Sequence, residues 1–152
     1  MISLASKAIP SLVIGFTVVA VSTHLAAQQH QPMTITRLYT GSDGQTHEEN
    51  MEVKFSPTTL YPKAEASEAV KVSEAQFFRL PKGEVQNWHK PAHRQYVVTL
   101  SGRGEVEIAG GQKILLSPGR VLLLENVTGK GHITRSIGSE DLTFFIVPLA
   151  AR

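Results

Sequence analysis

Histidine and glutamine residues in the second half of the chain have the types and spacing that metal binding requires. His89, His93 and Gln95 share one parity, so an extended chain would point them to the same face. His132 follows a glycine-flanked turn, which we expect to return its imidazole to the same interior. Imidazoles that converge from different strands bind divalent transition metals. We therefore predict that the imidazoles of His89, His93 and His132 can hold one divalent metal ion, which would be Fe, Mn, Ni, Zn or Cu, with Gln95 on the same wall.

A second role stays open for each of these side chains. His89 and His132 could be hydrogen-bonded structural histidines inside a barrel, and His93 could lie on a surface loop. A pocket for a small ligand is the alternative to a metal site, and polar pocket residues would then fix the orientation of the ligand. The residues predicted to line such a pocket are Trp88, Gln95 and Glu125. Trp88 could instead be a core aromatic residue, and Glu125 could be a solvated loop carboxylate.

Short apolar runs, interrupted by turn residues every eight to twelve positions, must position these side chains. This spacing is typical of an all-β sandwich or barrel, and no long amphipathic helix is evident. Residues 62–74 have the weakest pattern and are predicted to form a loop or a short helical turn. The predicted strands are Thr34–Thr40, 51–55, Gln76–Leu80, 95–100, 104–109, Lys113–Leu116, 120–124, 131–137 and 142–147.

Composition and charge exclude several classes of function. The 152 residues suit one domain, and the formal net charge is only +2. Because the sequence has no run of Lys and Arg, we expect no nucleic-acid partner. The sequence also has no cysteine, which excludes disulfide frameworks, thiolate zinc sites and cysteine nucleophiles.

The first 27 residues have the pattern of a secretory signal peptide. Lys7 precedes an uncharged apolar run, and Leu25, Ala26 and Ala27 offer small residues at a cleavage point. We therefore predict a signal peptide over 1–27 and a periplasmic or secreted mature domain over 28–152. An uncleaved anchor is the alternative, since a run of about 20 uncharged residues is just long enough to span a membrane. Such a leader would be the only predicted membrane contact.

Two segments resemble the small single-domain cupins. They are WHKPAHRQYVVTLSGRGEVEI and LLSPGRVLLLENVTGKGH, and the resemblance covers residues 76–148. His89 matches the first histidine of the first cupin motif, and Gln95 occupies its glutamate position, seven residues before Gly102. The residues that match the second motif are Pro118, Gly119 and His132. The resemblance implies a jelly-roll barrel, also called a double-stranded β-helix.

The sequence departs from the family's metal-binding pattern at two of four expected ligands. Pro91 stands where the second histidine is expected, and Gln95 replaces the glutamate. The segment between the Pro-Gly pair and His132 is also longer than usual. His93 is a candidate replacement for the missing imidazole, and Glu125 is a candidate source of a carboxylate.

The resemblance leaves two classes of function open. One is a metal-dependent oxidoreductase of the dioxygenase type, or an isomerase, that acts on a small molecule. The other is a non-catalytic domain that binds a small ligand without a tightly bound metal. Whether the chain is an enzyme is therefore left open. The resemblance also implies a homodimer formed through outer strands, with Thr34–Thr40 as a candidate for exchange between subunits.

Overall fold

The computed structural model describes residues 31–151, and β-strands account for most of its regular structure. The predicted signal peptide over 1–27 lies outside the described residues. One 3-10 helix, η1, is formed by Ala109–Gly111. The strands are β1 Thr34–Thr40, β2 Thr46–Glu52, β3 Ser56–Pro57, β4 Glu65–Ala66, β5 Gln76–Leu80, β6 Val85–His89, β7 Gln95–Ser101, β8 Gly104–Glu107, β9 Lys113–Leu116, β10 Val121–Glu125, β11 His132–Ser136 and β12 Leu142–Pro148.

Two sheets carry the fold. The larger has the order β2-β1-β10-β7-β12-β5, and the smaller has the order β6-β11-β8-β9. Strands β5 to β12 thus divide into two sets of four, which is the strand arrangement of a jelly roll. The β1–β2 hairpin extends the larger set, because β1 pairs in parallel with β10. The prediction of an all-β jelly-roll barrel is confirmed.

Apolar side chains on the inner faces of both sheets form the core. The alternation is clearest in β9, where Ile114 and Leu116 are buried while Leu115 is 67% exposed. This pattern follows from the strand repeat, which sends successive side chains to opposite faces. The fully or nearly fully buried members of the core are Leu38, Val106, Ile108, Leu116, Leu122 and Leu142.

One predicted strand has the wrong bounds, and the strand β6 was not predicted. The second strand begins at Thr46, five residues before the predicted range 51–55, and it ends at Glu52. A strand that the sequence analysis did not predict, β6, directly precedes the candidate site and ends at His89. The weak segment over 62–74 contains only the two-residue strand β4 and an isolated bridge, at Val72.

Within residues 31–151, no helix has the length and hydropathy that a membrane span requires.

Candidate functional site

A cavity of about 270 Å³ lies between the inner faces of the two sheets. Strands β5, β6, β7, β10 and β12 all contribute to its wall. Its polar side chains are Gln76, Gln86, His89 and Gln95, and its apolar ones are Phe78, Pro91, Ala92, Val97, Leu124, Phe144 and Ile146. A larger cavity of about 380 Å³ lies at the other end of β7, but no histidine lines it. The cavity of about 270 Å³ is the candidate site because it alone of these two contains predicted site residues, His89 and Gln95.

A β-bulge in β6 brings two polar side chains to the cavity. His132 of β11 pairs with His89, whereas Thr134 pairs with Gln86. A step of two residues on β11 therefore corresponds to a step of three on β6, and such an extra residue re-aims the side chains of the bulged strand. Gln86 and His89 consequently face the same cavity although their parity differs.

His89 and His132 form a close pair across the two strands. Their ring centroids are 4.4 Å apart, and the ring planes are inclined by 59°. His132 is 3% exposed, and burial, together with the neighbouring His89, lowers its pKa to about 3. The imidazole of His132 is therefore neutral at any pH near neutrality.

A buried chain of hydrogen bonds fixes the tautomer of His132. The Thr46 hydroxyl donates to the carbonyl oxygen of Gly131 at 2.7 Å, so this hydroxyl can only accept from Asn126. The Asn126 amide Nδ2 donates to Thr46 Oγ1 at 3.2 Å and to His132 Nδ1 at 2.9 Å. Because His132 Nδ1 accepts, its proton must lie on Nε2. The sequence analysis did not single out Asn126, because nothing in the spacing of the chain indicates this role.

Backbone structure fixes the opposite tautomer in His89. Its Nδ1 lies 2.8 Å from the carbonyl oxygen of Asn87, which can only accept a hydrogen bond. Nδ1 of His89 therefore carries a proton. In a neutral imidazole with that tautomer, Nε2 has a free lone pair.

His93 lies apart from this pair. The chain leaves β6 after His89 and bends at Ala92 and His93 before β7 begins at Gln95. This bend interrupts the alternation on which the prediction for His93 depended. The side chain of His93 is exposed and lines another cavity with Arg94, whereas Gln95 and the buried Pro91 line the candidate site.

Glu125 lies beside the cavity but does not line it. Its neighbour Leu124 lines the cavity, and alternation along β10 turns Glu125 the other way. Its carboxylate accepts hydrogen bonds from Nε of Arg37 and Nε of Arg94, both at 2.6 Å. Burial acts to raise the pKa of Glu125, but these two arginines outweigh it and hold the pKa below its usual value. Glu125 is therefore an ion-pair residue rather than the predicted pocket residue.

Trp88 also lies outside the lining of the cavity. Its side chain is 39% exposed, and Nζ of Lys130 lies 4.0 Å from the centre of the indole ring. This distance is typical of a cation–π contact. Trp88 is therefore neither the predicted pocket residue nor a core aromatic residue.

The donors around the cavity do not fit a tightly bound transition metal. In residues 31–151, no three His, Asp or Glu side chains are grouped so that they could hold a metal ion. A metal-bound histidine normally donates from its other ring nitrogen to an acceptor. In His132 the direction of this hydrogen bond is reversed, because Nδ1 accepts from Asn126 and Nε2 carries the proton. His89 and the neutral amide of Gln95 remain as the donors with access to the cavity.

Comparisons with solved structures find cupin domains at low sequence identity. A conserved protein of unknown function from Streptococcus pyogenes is 19% identical over 51% of this chain and 64% of its own length, with a TM-score of 0.42. A cupin domain from Bordetella pertussis Tohama I is 19% identical over 55% of this chain and 91% of its own, with a TM-score of 0.43. A cupin 2 conserved barrel domain protein from Salinispora arenicola is 16% identical over 65% and 76%, with a TM-score of 0.44.

No protein-family model matches the sequence, and no curated protein is similar enough to count as a match. The fold is identified by the strand order of the chain itself. Strands β5, β12, β7 and β10 form one four-stranded set and β6, β11, β8 and β9 form the other. Residues 31–151 therefore have a jelly-roll fold, which is the fold that the resemblance to the small cupins implies.

Proposed function

We propose that the domain binds a small molecule in the cavity between its sheets and does so without a tightly bound metal. The observation that carries this proposal is the wall of the cavity, which combines apolar side chains with four polar ones. Binding sites for small molecules have this composition, since apolar walls supply most of the affinity and few polar groups set the orientation. At about 270 Å³, the cavity lies just below the range of about 300–1,000 Å³ that is typical of small-molecule pockets, so its ligand must be small.

A metal-dependent oxidoreductase or isomerase is the second candidate. The close pair of His89 and His132, both at cupin motif positions, favours it. Ligation by His132 would first require its proton to leave Nε2. Nδ1 would then carry a proton facing the amide nitrogen of Asn126, which is itself a donor. This cost is the reason for preferring a binding domain.

Metal analysis of untagged protein separates the two candidates. We expect a metal content well below one ion per chain after purification without chelators. We also expect no increase in the melting temperature when Zn²⁺, Ni²⁺ or Mn²⁺ is added. His93→Ala is the matched control, because this residue lies outside the cavity. One ion per chain that is lost in both His89→Ala and His132→Ala would overturn the proposal.

We also propose that the chain is exported and that its leader is removed before Gln28. The support is the sequence pattern of the first 27 residues. Amino-terminal sequencing of protein secreted by the native host checks this. A mature protein that begins near Met1 would contradict it.

A further inference from the structure

We propose that the ligand is an uncharged, mainly apolar molecule that donates a hydrogen bond, from a hydroxyl or an N–H group, to Nε2 of His89. This inference rests on the proposed function and names the chemical class that the same cavity would accept. Three features of the described residues support it. They are the neutral lining of the cavity, the lack of an available charge on Glu125 and His132, and the fixed tautomer of His89.

No side chain that lines the cavity has a fixed charge. Its polar members are the three glutamines Gln76, Gln86 and Gln95 together with His89. Moving a carboxylate or an ammonium group out of water costs several kcal/mol unless a counter-charge or many hydrogen bonds replace the lost hydration. Neutral dipoles alone do not offset that cost, so the cavity favours a ligand without charge.

Two titratable groups close to the cavity, Glu125 and His132, offer no charge to a ligand. Glu125 accepts from two arginines, Arg37 and Arg94, and therefore has no free charge to offer a cationic ligand. His132 stays neutral because burial lowers its pKa to about 3, and it offers no imidazolium to an anionic ligand. Neither Glu125 nor His132 therefore offers an ionic partner to a charged ligand.

His89 gives the cavity a directional acceptor. Its Nδ1 proton is used in the hydrogen bond to the carbonyl oxygen of Asn87 at 2.8 Å. In the neutral imidazole Nε2 then has a lone pair, which can accept from a hydroxyl or an N–H group but cannot donate to a carbonyl. The glutamine amides can both donate and accept, so they tolerate either kind of group elsewhere on the ligand.

Two matched pairs of aromatic probes test the inference. Phenol and anisole differ in the hydroxyl donor, whereas benzamide and benzoate have similar shapes and differ in charge. Each is titrated into the full domain while the side-chain amides of the glutamines and the methyl groups of Val97, Leu124 and Ile146 are followed by NMR. We expect phenol to bind about tenfold more tightly than anisole, as one net hydrogen bond would give. We also expect benzamide to bind at least about tenfold more tightly than benzoate.

A variant assigns the preference to one atom. His89→Phe keeps a ring but removes the acceptor, so the advantage of phenol over anisole should disappear. His93→Ala, whose residue lines another cavity, should keep it. If His89→Phe does not fold, the comparison of phenol with anisole in the unmodified protein still tests whether the ligand must donate a hydrogen bond.

The outcomes distinguish the inference from the proposed function. Benzoate binding as tightly as benzamide, or anisole as tightly as phenol, would overturn the inference and leave a binding cavity in place. If none of the four probes shifts the resonances of the cavity residues at millimolar concentration, the proposed function itself is wrong.

Discussion

At the scale of single residues, the neighbours of a histidine decide what it can do. His132 has the position that the cupin motif assigns to a metal ligand. However, Asn126 donates to its Nδ1, so Nε2 carries the proton and has no lone pair with which to bind a metal ion. The sequence indicates that His89 and His132 lie together, because both match landmarks of the motifs. It does not reveal their tautomers, which depend on Asn126 and on the backbone of Asn87.

Asn126 should be the most sensitive polar residue of the site. It is 0% exposed and donates to both Thr46 and His132. We expect Asn126→Ala to lower the free energy of unfolding by about 2–3 kcal/mol, since it leaves buried partners unpaired. Urea denaturation measures this change. Asn50→Ala, at an exposed position with a single side-chain hydrogen bond, is the control and should cost less than about 1 kcal/mol.

The neutral state of His132 predicts a dependence of stability on acid. Its pKa is about 3 in the folded protein, against 6.5 for a histidine in water. Between these pH values the unfolded chain binds more protons, so stability falls as the pH drops below 6.5 and continues to fall towards 3. The slope contributed by this residue approaches about 1.4 kcal/mol per pH unit.

Urea denaturation at several pH values checks this dependence. His132→Gln should be less stable near neutrality but should show a shallower decline with acid. His93→Gln, altered at an exposed position, should keep the slope of the unmodified protein. Equal slopes for His132→Gln and the unmodified protein would contradict the assignment.

At the scale of elements, the sequence predicts strands that have one apolar face. β9 and β12 were located from apolar residues bounded by turn residues, and their bounds agree closely with the structure. β6 was missed because its inward residues, Gln86 and His89, are polar and its outward residues are exposed. A strand that faces a binding cavity lacks the apolar alternation that identifies core strands. The polar side chains that β6 turns towards the cavity are therefore the reason that its sequence did not indicate a strand.

The turn before β11 should tolerate no side chain at Gly131. This residue has a φ of 81°, and a Cβ atom there would clash with the carbonyl oxygen of His89. We expect Gly131→Ala to lower the free energy of unfolding by about 2 kcal/mol or more and to disturb the cavity. Gly110→Ala is the matched control, because φ is 77° but nothing lies within 4 Å of the added Cβ.

The difference between these two variants isolates the clash. Gly110→Ala carries only the backbone strain of a positive φ, which costs about 1–2 kcal/mol. Thermal and urea unfolding of both variants give the comparison, and the NMR resonances of the glutamine amides report on the cavity. Equal losses of stability with unchanged cavity resonances would mean that the close approach to β6 does not matter.

At the scale of the whole molecule, the larger sheet combines the jelly-roll strands with an added hairpin. β1 pairs with β10 and with β2 of the same chain, so it already lies inside its own sheet. At the other edge, the outer face of β5 presents Phe77, which is 75% exposed and packs against Phe145 at a ring distance of 5.1 Å. Large apolar side chains exposed on an edge strand are typical of surfaces that meet a partner.

The homodimer implied by the cupin resemblance is therefore expected to involve the edge at β5. Light scattering coupled to size-exclusion chromatography should give twice the mass of the chain at micromolar concentration. Phe77→Glu should shift this mass to that of a monomer, because a buried unpaired carboxylate would oppose association. Leu115→Glu, at a side chain that is 67% exposed on the smaller sheet, should leave the dimer intact. A dimer that persists in Phe77→Glu, or that only Leu115→Glu disrupts, would place the interface elsewhere, and a monomeric unmodified protein would exclude it.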